Sequence, residues 1–323
     1  MISSRVYEGR TGIQSLATTL QGDESIHIGI RPYELHAGNK LAIIVYPILL
    51  CQELERLGKT PRFTFLLSLN DWEQRVLVGT NIYEYTFDVR PLDVTIQYAT
   101  ESDGKTLTAP FWGQKIIDAM AEITRRYPYV TITPFFNSDL HRREAMKTVV
   151  TKTLQRPREI KDLMLRITKK STDDSLALFA AAVCPSCHDA NTHTSISSDV
   201  FLVECTVCGH TSTGQYEDFM YWLHHKPLFA ARWKTFGFTH SLSGGDHLAE
   251  GDVEVRRALY EYFFNEQPPK LDMIFSPILL GSDGNKMSKS RDNYFDASID
   301  DLMAAARQEG PKISLDEGVK IHG

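Results

Sequence analysis

Residues 25–30, Ser-Ile-His-Ile-Gly-Ile, alternate apolar and other residues, the pattern of a strand. Arg31-Pro32-Tyr33 follows, and proline breaks any regular element there. From 36 to 57 the spacing is helical, with strong helix formers throughout and Pro47 as the one breaker. That proline predicts a kink or an early end. Lys59-Thr60-Pro61 makes a turn, and 62–69 form a buried strand. Strand, loop, helix, strand is the opening of a parallel α/β fold. Its first loop leaves the carboxyl end of a strand, where such folds bind ligands.

The same alternation returns later. A helix is expected over 113–127, a strand over 129–133 and a strongly charged helical stretch over 139–170. The texture then changes to short strands and turns over 181–213, followed by a basic and aromatic stretch at 224–234. Strand 239–243, helix 252–264 and strand 273–280 restore the α/β pattern. The fold expected is a Rossmann-like, doubly wound parallel sheet carrying inserted zinc-ribbon and helical modules. Residues 1–137 form the first half of the core, 138–235 the insertion and 236–323 the second half. The 323 residues suffice for this, and 42% hydrophobic with 24% charged residues is a globular balance. A net charge of -6 excludes a basic field over the whole protein, but not a local basic patch. No apolar run reaches the ~20 residues of a membrane span. The first residues, Met-Ile-Ser-Ser-Arg, lack an apolar signal core, so a cytoplasmic location is expected.

Four of the five cysteines are paired in sequence as Cys184-Pro-Ser-Cys187 and Cys205-Thr-Val-Cys208. Each turn aims two thiolates at one point, and two such turns complete a tetrahedron around zinc. A four-thiolate site has no open position, so its role is structural. His188, His193 and His210 lie nearby, but four thiolates suffice. Two disulfides are the alternative, disfavoured by a cytoplasmic context. The fifth cysteine, Cys51, sits in an apolar run and suits a core position.

Two segments carry chemistry. His36-Ala37-Gly38-Asn39 opens the first helix after Gly29 ends a strand. Amides at a helix start, with the helix dipole behind them, suit a phosphate chain, and Gly38 lets a nucleotide approach the backbone. Alone, this pattern also fits an ordinary strand–turn–helix. Lys286-Met287-Ser288-Lys289-Ser290 follows a buried strand and the turn Gly281-Ser282-Asp283-Gly284. A loop with two lysines can fold over a triphosphate and offset the charge of leaving pyrophosphate, with the glycines allowing it to move.

Together these segments resemble the two signature motifs of class I aminoacyl-tRNA synthetases. The first is usually His-x-Gly-His in that family. The ending in Asn39 is similar to the class I lysyl-tRNA synthetases, which use His-Ile-Gly-Asn. Also similar are Gly29-Ile30-Arg31-Pro32 with Leu35, Ala230-Ala231-Arg232-Trp233 through Gly237, and 244–251, which includes Gly245-Asp246-His247. The resemblance runs from about 25 to 293. It implies that an amino-acid carboxylate attacks the α-phosphorus of ATP and pyrophosphate leaves. By the same resemblance, His36 and Asn39 hold the phosphates and Gly38 lies under the adenosine. Gly29, Gly245, Asp246 and Met287 complete the ATP site, with Asp246 on the ribose. Lys286 and Lys289 stabilise the transition state, Ser288 helps hold the loop, and Mg²⁺ accompanies the phosphates.

Asn70-Asp71-Trp72-Glu73 stands where that family has an acidic cluster. Asp71 and Glu73 suit the ammonium groups of lysine or a lysine-like amino acid, and equally suit an ordinary charged loop. His247 orients the substrate carbonyl or serves in packing. The stretch 224–234 faces a tRNA acceptor stem, or is a helix passing into the core. Family members carry a helical anticodon-binding domain after the second motif. Residues 291–323 are too few for it, so a core without that domain is expected. Three functions are compatible: charging a tRNA, passing the activated amino acid to another acceptor, or an inactive zinc module that binds nucleotide or RNA. The intact lysines and serines of the second motif argue against the last.

Overall fold

The computed structural model describes residues 4–30, 32, 35–70, 108–168, 180–187, 192–281, 283–287, 293 and 297–315. The chain opens with β1 (Val6–Glu8), α1 (Gly9–Thr19) and β2 (Glu24–Ile30). Next come α2 (Ala37–Lys40), a π-turn (Leu41–Val45), α3 (Tyr46–Arg56) and β3 (Phe63–Leu69). After 108 the elements are α4 (Thr108–Arg126), β4 (Val130–Phe136), α5 (Glu144–Gln155) and α6 (Pro157–Thr168). The cysteine module holds β5 (Ala180–Ala182), β6 (Thr192–Ser197), β7 (Val200–Cys205), β8 (Thr211–Gly214) and β9 (Tyr221–Leu223). The chain then runs through α7 (His225–Phe236), β10 (His240–Gly244), α8 (Asp252–Phe264) and β11 (Asp272–Ser276). It continues with β12 (Ile278–Leu279), α9 (Ile299–Ala305) and β13 (Lys312–Ile313).

The main sheet has six strands in the order β1-β11-β10-β2-β3-β4, and every neighbouring pair is parallel. From β2 the chain winds outward to β3 and β4, then returns to add β10 and β11 on the other side. The winding reverses between β2 and β10. This is the doubly wound α/β fold, and its crevice opens at the carboxyl ends of those two strands.

Strand side chains alternate between two cores, as burial on both faces requires. Ile26, Ile28, Phe65, Leu67, Leu242 and Ile274 join the core under α1, α3 and α4. Leu66, Phe135, Met273 and Phe275 join the core under α5, α7 and α8. Cys51 is fully buried in the first core, where burial pushes its thiol up to about 12. At the centre of the second face the pattern fails. His27 and Gly29 on β2, Ser68 on β3, and Ser241 and Ser243 on β10 are polar or small. They leave room beneath α7.

Three expected elements differ in detail. The helix expected over 36–57 does not stop at Pro47, which lies in the first turn of α3. The turn before it widens, with the Tyr46 amide donating to the Leu41 carbonyl. That spacing of five residues relieves the clash of the proline ring with the preceding turn. The helical stretch 139–170 splits at Arg156, because Pro157 starts α6. The strand over 273–280 splits at Pro277, and β12 pairs with β13 outside the main sheet. No helix among the described residues is long and apolar enough to cross a membrane.

At the switch point Gly245 leaves β10 against the end of β11. A Cβ there would lie 2.4 Å from the Ser276 carbonyl oxygen. Gly245→Ala therefore forces backbone apart and is expected to lower stability by about 1–3 kcal/mol, read by urea denaturation.

His27 is buried, stacked on Phe238 at 4.7 Å, and its Nδ1 lies 3.2 Å from Ser241 Oγ. Burial first, then the charges of Arg232 and Arg256, hold its imidazole well below the ordinary value. A depressed histidine stabilises the fold above the unfolded-state value near 6.5 and loses that contribution as the pH falls below it. Stability is therefore expected to decline from pH 7 to 5. Replacing His27 by Gln is expected to flatten the slope by up to about 1.4 kcal/mol per pH unit, the weight of one proton.

Candidate active site

The first site segment is built by a cap. His36 is the N-cap of α2, and its Nδ1 accepts the Asn39 amide at 3.3 Å. That bond places the ring proton of the neutral imidazole on Nε2, which makes Nε2 a donor. A Cβ on Gly38 would lie 3.2 Å from the His36 ring and 3.6 Å from the Met287 methyl. Gly38 thus permits close packing of the two segments.

The second segment starts from a tight turn. The Leu280–Lys286 bridge, the Met287 amide on the Leu279 carbonyl (2.9 Å) and the Gly281 amide on the Asn285 carbonyl (2.8 Å) tie its base. Asp283 accepts the Asn285 amide at 3.0 Å and Asn293 Nδ2 at 2.8 Å, and these bonds, Asn293 first, hold its carboxyl low. A Cβ on Gly281 would meet the Asn293 carbonyl oxygen at 2.6 Å. Gly281 thus permits close packing of the turn against Asn293, while Gly284 takes the left-handed conformation (φ 72°). Ser288 and Lys289 lie outside the described residues, as do Asp71 and Glu73 and the side chain of Asp246.

Both segments line one cavity of about 320 Å³ at the switch point. Gly29 and Ile30 from β2 line it, with Ser243, Gly244 and Gly245 from the end of β10. His36, Gly38 and Asn39, then Lys286 and Met287, and His247 complete the lining named in the sequence. The structure thus brings together the described expected residues, about 250 positions apart in sequence. The π-turn contributes Leu41 and Ile43 to the wall.

A second cavity of about 210 Å³ continues from the first across Gly29, Ser243, Gly244 and His247. It lies over the polar gap in the sheet. Lys226, Phe229 and Arg232 line it from one face of α7, and Arg256 lines it from α8. Lys226 and Arg232 are only 2% and 5% exposed. The cations of 224–234 therefore point inward rather than toward solvent, apart from Lys234, which pairs with Glu266. That corrects the idea of this stretch as a tRNA-facing patch. Asp252 is buried between Lys226 Nζ, at 3.7 Å, and Arg256. Arg256 also donates to Ser241 and Ser243 at 3.2 Å and lies 3.9 Å over the Phe229 ring. Arg232 Nε donates to Asn137 at 2.9 Å, and Asn137 donates to Asn70 at 2.6 Å. The sequence signal for this cavity is the run of polar residues at strand positions that a two-faced buried sheet fills with apolar ones.

The four cysteines of the module converge. Their sulfurs all lie within 4.8 Å of one another, with Cys184–Cys208 at 3.7 Å and Cys187–Cys205 at 3.5 Å. These distances exclude S–S bonds, which are roughly 2 Å long. They match the roughly 3.8 Å between sulfurs of a tetrahedron with Zn–S bonds of about 2.3 Å. Hydrogen bonds, the His210 backbone first, lower the Cys208 thiol to about 7, toward the thiolate a metal needs. Gly209 takes the left-handed conformation (φ 72°) that closes the second turn.

The profile of the family described as "tRNA synthetases class I (K)" matches residues 104–310. The matched span contains the cysteines, α7 and 286–290, and leaves out His36–Asn39. A tyrosyl-tRNA synthetase from Archaeoglobus fulgidus is a similar solved structure, at 14% identity and a TM-score of 0.45. That likeness covers 91% of this chain and 67% of the other. A tryptophanyl-tRNA synthetase from Campylobacter jejuni is similar at 13% identity and a TM-score of 0.34, covering 86% of this chain and 63% of the other. The chain thus spans about two thirds of the length of these structures. A search of curated proteins finds no match. The profile match extends over well more than half of the residues, and on that ground this protein is a member of the class I tRNA synthetase family.

Proposed function

We propose that the protein activates an amino acid with ATP by forming an aminoacyl adenylate, then transfers it to the acceptor end of a tRNA. One observation carries this. His36, Asn39 and Lys286 line a single cavity at the sheet's switch point, so two sets of donors meet where a nucleotide binds in such folds. One carboxylate oxygen of the amino acid attacks the α-phosphorus, and the bond to the bridging oxygen breaks as pyrophosphate leaves. His36 Nε2–H, Asn39 and the amides of α2 hold phosphate oxygens. Lys286 with Lys289 offsets the charge that grows on the leaving group, and Ser288 helps hold their loop. Gly29, Gly38, Gly245 and Met287 shape the nucleotide bed and Asp246 takes the ribose; Mg²⁺ brought in with the nucleotide would offset phosphate charge. The core is made of 1–137 and 236–323 around the insertion 138–235.

Lysine or a lysine-like substrate is supported by the Asn39 ending, the family description and the acidic pair Asp71 and Glu73. His247 borders both cavities, where the amino acid's reacting carboxylate would lie.

ATP–pyrophosphate exchange tests the activation step. Exchange with at least one amino acid is expected, and Lys286→Ala is expected to slow it about 100-fold or more while leaving the fold intact. Absence of exchange with every amino acid sinks the proposal. Charging of total tRNA then decides between tRNA and another acceptor.

We further propose that Cys184, Cys187, Cys205 and Cys208 bind structural zinc. Removal of the metal by a chelator is expected to lower the melting temperature by more than about 5 °C. Equal melting of the chelated and zinc-loaded protein would rule the site out.

A further inference from the structure

His27 is a polar residue in the middle of β2, 3% exposed, and it lines the second cavity. Phe238 stacks on its ring at 4.7 Å and Phe229 meets it edge-on at 5.4 Å. Its Nε2 is enclosed and has no hydrogen-bond partner among the described residues. Buried polar atoms left unpaired are costly and rare, so this one asks for a role.

Ser241 sets the tautomer. Arg256 Nη1 donates to Ser241 Oγ at 3.2 Å, and the same oxygen lies 3.2 Å from His27 Nδ1. Ser241 is fully buried, and its one hydroxyl hydrogen has a single acceptor among the described residues, His27 Nδ1. The opposite tautomer would leave both that hydrogen and the Nε2 lone pair unused. Nδ1 therefore accepts, and Nε2 of the neutral ring carries the hydrogen. Arg256, Ser241 and His27 form a chain of donors that ends in an unspent N–H.

That N–H borders a gap. A Cβ on Gly29 would lie 3.2 Å from His27 Cε1 and 3.7 Å from Nε2, so this edge of the ring faces the space that the missing side chain leaves. Gly29 borders both cavities, whereas His27 and Asn70 border the second. In the strand register Gly29 stands beside Ser68 and His27 beside Leu66, and Asn70 follows β3 toward the crevice. From the crevice inward the order is thus Asn70, Gly29, His27. Asn70 is oriented as well. Arg232 Nε can only donate, so Asn137 offers it the amide oxygen and donates its own nitrogen to Asn70 Oδ1. Asn70 Nδ2 is the atom left for the cavity, which holds about 210 Å³, room for a short side chain.

We propose that His27 is a specificity-determining residue: its Nε2–H donates to an oxygen on the substrate's side chain, so the amino acid activated in the adjoining crevice carries a hydroxyl, amide or carboxylate oxygen there. The proposal rests on the activation reading above and names what the same site selects. The oxygen that meets His27 is not the reacting α-carboxylate, which lies toward the nucleotide in the first cavity. The ammonium of a lysine side chain has donors only and leaves Nε2–H unmatched.

The test uses the full chain in two arms. In the first, pyrophosphate exchange is measured with amino acids and with analogues lacking the side-chain oxygen: serine with alanine, threonine with valine, asparagine and aspartate with leucine, glutamine and glutamate with norvaline. Lysine is added to the set. Hydroxyl, amide and acid are thereby told apart. One oxygen-bearing amino acid is expected to exceed its analogue and lysine by about 100-fold or more, as sites built to hydrogen-bond a group reject analogues lacking it. His27→Phe, which keeps the stacking and removes the N–H, is expected to shrink that ratio at least about tenfold, and His27→Gln, which keeps a donor, to restore part of it. Preference for lysine, equal rates within every pair, or a ratio unchanged in a folded His27→Phe overturns the inference and leaves activation standing. The second arm needs neither activation nor a variant: heteronuclear NMR of the imidazole nitrogens in the absence of ATP. His27 is expected to show the neutral Nε2–H tautomer, and its signals to move with an oxygen-bearing amino acid and not with the analogue. If no amino acid supports exchange, activation falls, and such a selective movement still supports the donor. The Nδ1–H tautomer, or signals that do not move, overturns it.

Discussion

The parallel pairing of β2 with β10 is the constraint from which the rest of the molecule follows. Two strands distant in sequence become neighbours, and the crossovers on either side of them turn in opposite directions. Such a reversal leaves a crevice between their carboxyl ends. Three of the segments that line the first cavity meet at that gap: the start of α2, Lys286-Met287 after the turn that follows β12, and the start of the Gly245–Glu250 turn. Gly245 shows how tightly the arrangement is set, since even one methyl would strike the end of β11.

Much of this was legible in the sequence, for a physical reason. Parallel strands buried on both faces need apolar runs, and helices need a 3.6-residue stripe, so 25–30, 62–69 and 252–264 declare themselves. The cysteines did so too, because two Cys-x-x-Cys turns have few other uses. The placement of His36, Gly38, Asn39, Lys286 and Met287 around one cavity also agrees with their spacing and residue types. Less visible were interruptions made by single prolines. Pro157 and Pro277 break elements that composition alone would continue, whereas Pro47 is absorbed by a wider turn.

The second cavity was missed because its residues look ordinary one at a time. Lys226 and Arg232 lie among aromatic residues on α7, which reads equally well as a basic patch. Only packing shows that this helix is buried along most of its length, with Lys226 and Arg232 turned inward. The decisive pattern lay in the strands, where His27, Ser241 and Ser243 occupy positions that face α7 and α8. Buried charge of this kind rarely adds to stability compared with apolar packing. Arg256 illustrates the cost: it is satisfied by Asp252, two serines and the face of Phe229 at once.

The π-turn at Leu41–Val45 has a consequence for how this helix tolerates change in length. A π-turn holds one residue more than an α-turn, and each residue of a helix spans about 100° of rotation. Deleting a single residue here would let the helix revert to uniform α geometry with its faces still in phase. Were the turn to close to α geometry with all its residues kept, every side chain from Tyr46 onward would rotate by about that angle relative to His36–Asn39. Tyr46, Leu50, Cys51 and Leu54 would then leave the first core together while the cap stayed in place. The wider turn therefore acts as a phase adjuster, setting the angle between the end of the helix that lines the cavity and the end that meets the core.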